Sequence, residues 1–110
     1  MTVLTIKSED FDKCIATNAI VFLDFWAPWC APCTAFSKVY HEVAQSYPKL
    51  IFAEINIDES PALADSLAIK SIPYLMVFKN QVAIYAESGS MPASRLRELA
   101  DQAISVEVKS

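Results

Sequence analysis

The sequence predicts an α/β fold in which a central mixed β-sheet is flanked by helices on both faces. Three observations lead there. Two apolar runs, Ile20–Phe25 and Leu50–Ile57, read as strands buried on both sides of a sheet. Helical patterns alternate with strands through the first two thirds of the chain, which favours parallel pairing. The last two strand-like segments are separated only by Lys79-Asn80-Gln81, so they form a hairpin and add antiparallel strands.

Taken in order, Val3–Ile6 is a short edge strand. Ser8 is placed to cap a first helix that carries Glu9 and Asp10 in its first turn and runs to about Thr17. Ile20–Phe25 is the central strand, interrupted by one acid, Asp24. A long helix starts at Ala31, shows Phe36, Val39, Tyr40, Val43 and Tyr47 as its apolar stripe, and ends before Pro48. Leu50–Ile57 is the second buried strand. Ser60-Pro61 caps and opens a short helix through Leu63 and Leu67. Tyr74–Phe78 and Val82–Ala86 are the hairpin strands. A final helix gathers Leu96, Leu99, Ala100, Ala103 and Ile104 on one face, and the tail beyond it is expected to fray. The predicted order is β-α-β-α-β-α-β-β-α, and residues 1–110 are read as one domain.

Composition narrows the function. Apolar residues make up 54% of the chain, enough for a core without metal or disulfide staples. The net charge is −4 and no basic cluster occurs, which argues against a nucleic-acid partner. The start of the chain lacks a secretory pattern, and Ala19–Trp26 is too short to span a bilayer, so the expected compartment is the cytosol with no membrane association. Gly89 is the only glycine, where average usage predicts roughly seven or eight. Turns must therefore use other residues, and Asn80 is expected to carry a positive φ.

The chemistry concentrates in Trp29-Cys30-Ala31-Pro32-Cys33. A CxxC pair at a helix start brings two sulfurs within bonding distance. The unpaired N–H groups and dipole of that helix end favour a thiolate. Cys30 is placed to attack, and Cys33, one turn inward, to resolve. Zinc would want four ligands, and beyond this pair the chain offers only Cys14 and His41. His41 falls on the polar side of its helix with Lys38, Glu42 and Gln45 and reads as a solvated residue. No metal or other cofactor is expected. Cys14 lies with Phe11 and Ile15 on the buried face of the first helix. It reads as a small core residue, with a regulatory or intermolecular thiol as the alternative. Asp24, an acid within an apolar strand, is costly unless paired or protonated. Its alternative is a carboxylate that faces solvent.

The segment Asp24-Phe25-Trp26-Ala27-Pro28-Trp29-Cys30-Ala31-Pro32-Cys33 closely resembles the active site of the thioredoxin family. Asn56-Ile57-Asp58, Ser71-Ile72-Pro73 and Phe78-Lys79-Asn80 match in the same order. The resemblance covers nearly the whole chain and implies the thioredoxin fold. It further implies a protein-disulfide reductase that acts on disulfide-containing proteins and is recycled by a thioredoxin reductase, with a monomer as the default state. It implies that Asp24 lies beneath Cys33 and takes its proton, with burial raising the Asp24 pKa. Ile72-Pro73 matches the family's cis-proline loop, with a trans proline opening the next strand as the alternative. Trp29, Ile72, Pro73 and Gly89 would then form a shallow apolar substrate face, with Gly89 at a point of close backbone approach. Trp26 reads as packing.

Four positions tune this picture. Pro32 removes a donor near the Cys30 sulfur, which leans the pair toward a reductant; oxidase and isomerase relatives tend to carry histidine there. Ala31 replaces the family's usual glycine. Glu54 stands where thioredoxins commonly place lysine, and a second inward carboxylate would raise the Asp24 pKa further. Tyr74 replaces a usual threonine and either alters the groove or packs in the core. Two other readings are a specialised isomerase or oxidase and an interaction module in which the dithiol is incidental.

Overall fold

In the computed structural model, which describes residues 2–108, the strands and helices follow the predicted order. They are β1 (Val3–Thr5), α1 (Ser8–Thr17), β2 (Ile20–Trp26), α2 (Ala31–Ala44) and β3 (Ile51–Asn56). α3 (Pro61–Ser66), β4 (Tyr74–Lys79), β5 (Val82–Ser88) and α4 (Ala93–Ser105) complete the chain. The sheet runs β1-β3-β2-β4-β5. β3 is parallel to both β1 and β2, whereas β4 is antiparallel to both β2 and β5. The hairpin therefore supplies the antiparallel half, as its short connection requires.

Strand alternation divides the core in two. Val21, Leu23 and Phe25 of β2 point with Ala53 and Ile55 toward α1, where they meet Phe11, Cys14 and Ile15. Phe22 and Phe52 point the other way and stack at 4.5 Å beneath Phe36, Tyr40 and Val43 of α2 and Leu96 and Leu99 of α4. β2 lies in the middle of the sheet, and its Val21–Phe25 stretch is fully buried. A strand covered on both faces cannot show alternating polarity, which is why it reads as a continuous apolar run.

Several local expectations change. Ser8 is the first residue inside α1, and Lys7 precedes it as the cap. The Lys7 N–H donates to the Asp10 carboxylate at 3.1 Å, while the Ser8 N–H donates to the Ser60 hydroxyl at 3.1 Å. Ser60 precedes α3 as expected, but its buried hydroxyl ties down α1 rather than its own helix. α2 ends at Ala44, not Tyr47. The Ser46 and Tyr47 N–H groups bond back three residues to Val43 and Ala44, tightening the chain ahead of Pro48. Tyr47 stays on the stripe and donates its hydroxyl to Asp101 of α4 at 2.8 Å.

Ile104 is exposed rather than part of the α4 face, which consists of Leu96, Leu99, Ala100 and Ala103. The tail expected to fray begins instead with an anchor: the Lys79 ammonium donates to the carbonyls of Ile104 and Val106 at 2.9 and 2.6 Å. Residues 109–110 of that tail lie outside the described residues.

Glycine scarcity has a visible consequence. Asn80 and Gln81 both take positive φ, 50° and 70°, which matches the twist of a two-residue hairpin. After α3, Ala68 adopts φ 57°. The Ala68 N–H bonds to the Asp65 carbonyl and the Ile69 N–H to the Ala64 carbonyl, a helix stop that usually employs glycine. Alanine there costs about 1 kcal/mol or more.

Candidate active site

β2 hands the chain to α2 through the turn Ala27–Cys30, closed by the Cys30 N–H on the Ala27 carbonyl at 3.2 Å. Cys30 is the cap of α2, extended at φ −96°, and its sulfur accepts the Cys33 N–H at 3.2 Å. Pro32 sits inside the first turn, where its missing N–H leaves no helical bond unmade. Cys30 and Cys33 are joined as a disulfide with their Cα atoms 5.2 Å apart. The two sulfurs differ in access: Cys30 is 6% exposed and Cys33 1%, while the neighbouring Trp29 is 68% exposed.

The Ile72–Pro73 bond is cis and faces this pair. The Ile72 carbonyl oxygen lies 3.7 Å from the Cys30 sulfur. The Pro73 carbonyl accepts the Gly89 N–H at 2.8 Å. Of the expected apolar face, Trp29 and Gly89 are exposed and Ile72 is partly so, but Pro73 is buried. Its contribution is backbone geometry rather than open surface. Gly89 also acts differently from expectation. A Cβ there would meet nothing within 4 Å, so no close approach demands glycine; the φ of +106° does. Tyr74 packs edge-on against Phe25 at 6.4 Å, on the α1 side and away from the groove.

Asp24 is fully buried, and neither carboxylate oxygen has a hydrogen-bond partner among the described residues. Burial pushes its pKa up to about 8, and the nearby Glu54 charge adds to the rise. The register explains the pairing. Asp24 of β2 lies directly beside Glu54 of β3, and alternation turns both toward α2, one step beyond the Phe22–Phe52 stack. Trp26 and Asn56 are the next register pair on that face.

Trp26 does more than pack. It lines a cavity of about 530 Å³ together with Cys33, Thr34, Ser37, Lys38, His41 and Glu54, and its indole N–H is buried without a partner among the described residues. Glu54 sits in the wall of this cavity between two α2 side chains. The Ser37 hydroxyl donates to Oε2 at 3.3 Å, and His41 Nε2 lies 3.2 Å from Oε1. His41 is exposed, as its helix face suggests, and it also contacts Glu54 at the rim of the site. Asp58 was missed as a site residue. Its carboxylate accepts the Trp29 indole N–H at 3.1 and 3.2 Å and fixes that exposed ring.

Cys14 is the free cysteine among the described residues, and it is buried. Burial, with the Asp10 charge, raises its pKa and keeps it a thiol. That fits the core reading. Among the described residues, no group of three His, Cys, Asp or Glu side chains gathers as a metal would need. No helix among them is long and apolar enough to cross a membrane.

Comparison with known proteins agrees with this geometry. The thioredoxin family model matches residues 2–102. A putative thioredoxin 2 of Streptomyces coelicolor is 39% identical over 89% of this chain and 73% of its own length. The thioredoxin of Pyropia yezoensis is 36% identical over 96% of this chain and its full length. Among solved structures, a chloroplastic thioredoxin z superposes with a TM-score of 0.88 at 25% identity, covering 96% of this chain and 97% of its own. The Plasmodium falciparum thioredoxin gives 0.82 at 29% identity, with 90% and 97% covered.

Proposed function

This chain belongs to the thioredoxin family and is a thiol–disulfide oxidoreductase that reduces disulfides in other proteins through Cys30 and Cys33, and we propose the following roles for its residues. Cys30 is the attacking thiolate. It displaces one sulfur of a substrate disulfide and forms a mixed disulfide. Cys33 loses its proton to the Asp24 carboxylate and attacks the Cys30 sulfur. The substrate's second sulfur leaves as a thiolate and takes up a proton, and the enzyme keeps the Cys30–Cys33 disulfide. Two electrons pass from the dithiol to the substrate.

The observation that carries this division of labour is the position of Cys30 as the cap of α2, with its sulfur accepting the Cys33 N–H. A donor aimed at that sulfur favours its thiolate, and Cys33 lies deeper. Trp29, held by Asp58, and Ile72 and Gly89 present the substrate surface. The Ile72 backbone can pair with an extended substrate segment. Pro32 offers no second donor near Cys30, which favours reductant over oxidase or isomerase work. Ala31 adjusts the potential modestly, and Glu54 adjusts Asp24.

A thioredoxin reductase is the proposed source of electrons. We read residues 1–110 as one domain that works as a monomer in the cytosol, since an exchangeable pair together with a free thiol elsewhere in the chain suits a reducing compartment. The formal charge of −4 supports proteins rather than nucleic acid as partners. A trapping experiment tests the roles. Cys33→Ser should accumulate a mixed disulfide with a disulfide-bonded substrate protein, and Cys30→Ser should not. Adducts on Cys33 in the Cys30→Ser protein, with none on Cys30, would reverse the assignment.

A further inference from the structure

We propose that Glu54 and His41 form the exit through which the Asp24 proton reaches solvent during resolution of the mixed disulfide. The proposal deepens the reading of Asp24 as the base for Cys33 and rests on it.

The need for an exit follows from burial. Near neutrality Asp24 already carries a proton and is fully buried, its carboxyl oxygens without a hydrogen-bond partner among the described residues. That proton must leave before the carboxylate can take the one from Cys33, within the same turnover. Of the groups packed around Asp24, two others could be asked to pass the proton on, and neither can. Tyr40 of α2 is buried, and its hydroxyl already donates to the Ala53 carbonyl at 2.9 Å. Burial first, then the Asp24 and Glu54 charges, raises its pKa, so it does not exchange near neutrality. Lys38 of α2 lines the cavity, but an ammonium has no lone pair to receive a proton.

Glu54 of β3 is the register neighbour of Asp24 on the same face. Strands lie about 4.8 Å apart, so the two carboxyl groups are adjacent. A water placed between them would have polar partners in Asp24, Glu54 and the Trp26 indole N–H. From Glu54 the route is explicit: Oε1 lies 3.2 Å from His41 Nε2, and Ser37 steadies the other oxygen. The Glu54 side chain is 13% exposed and His41 46%, so the path runs outward from a sealed acid to an open imidazole. An imidazole takes a proton at one nitrogen and releases one from the other, which suits the last step to bulk water. The balance closes: one proton leaves Asp24 for solvent, the Cys33 thiol proton takes its place, and the electrons stay with the sulfurs.

Single-turnover kinetics test the exit. Reduced protein is mixed with an aromatic disulfide whose thiol is chromogenic. The first phase reports attack by Cys30, and the second reports resolution by Cys33. In dilute buffer, His41→Ala and His41→Gln should both slow the second phase relative to the first on the order of tenfold. Added imidazole should restore it. His41→Gln keeps a hydrogen-bonding side chain next to Glu54 but cannot shuttle, so a wild-type second phase in that variant would overturn the proposal. A slow phase that imidazole leaves slow would do so as well, since it would mark a structural defect. Asp24→Asn separates the two levels. If it resolves at the wild-type rate, the base assignment falls and the exit with it. If it is slow while both His41 variants are normal, the base stands and the exit falls.

Discussion

The two faces of the sheet are built from the same strands, yet they hold different things one residue apart. On the α1 face, Leu23, Phe25, Ala53 and Ile55 meet Phe11, Cys14 and Ile15, and the one thiol there is held protonated by burial. On the α2 face, the Phe22–Phe52 stack gives way in a single pleat step to the Asp24–Glu54 pair, then to Trp26 beside the Cys33 cavity. Shifting one residue along β2 moves a side chain from hydrocarbon to the neighbourhood of the dithiol. Two buried cysteines thus have different fates. Cys14 faces apolar packing, while Cys33 lines the cavity that Glu54 also walls.

The strongest way to break this contrast is to remove the acid. The folded protein keeps a proton on Asp24 up to about pH 8, whereas the unfolded chain releases it near the ordinary aspartate value of 3.8. The Asp24 contribution to stability is therefore fully present below the lower value and is lost as pH rises through the upper one. At ~1.4 kcal/mol per unit, the loss reaches roughly 6 kcal/mol. Asp24→Asn should lack this slope. Its stability relative to wild type, measured by denaturant unfolding at a series of pH values, should improve by about that much between acidic and alkaline ends. Parallel curves would show that Asp24 titrates normally.

A smaller effect comes from the opposite face. Leu23 is fully buried toward α1. Leu23→Ala should cost about 3 kcal/mol through lost burial and a cavity. It should leave the pH dependence of the resolving step where it was, because its neighbours carry no charge near the dithiol. A shift in that profile would mean that the faces communicate.

Smaller still is Glu54→Lys, which installs the residue common in thioredoxins. Replacing a like charge by an opposite one should lower the Asp24 midpoint by about one unit or more, ~1.4 kcal/mol. The pH–rate profile of the resolving step would read it. An unchanged profile would remove Glu54 from the mechanism.

Much of the site was legible in the sequence because its signals are local. The CxxC spacing, the acid inside an apolar run and an Ile-Pro step each sit within a few residues, and all three appear where the sequence put them. Asn80 announced its positive φ through the need for a turn without glycine. What was missed depends on contacts between distant residues. His41 is exposed, as its polar helix face suggests; only the packing of α2 over β3 brings it to Glu54. Asp58 lies 29 residues from Trp29, and Ser60 lies 52 from Ser8, whose N–H it receives. At Gly89 the sequence points to close approach, whereas the positive φ is what requires glycine, and no local pattern shows that φ. The exposure of Ile104 escaped because helical periodicity alone does not show where the sheet stops covering α4.

The contrast between the two faces rests on Asp24 being a buried acid that holds its proton near neutrality. The direct measurement is the titration of its side-chain carboxyl by carbon NMR in the oxidised protein, with Asp24→Asn used to assign the resonance. The predicted midpoint is about 8. A midpoint in the ordinary aspartate range near 4 would contradict it and make the α2 face electrostatically ordinary.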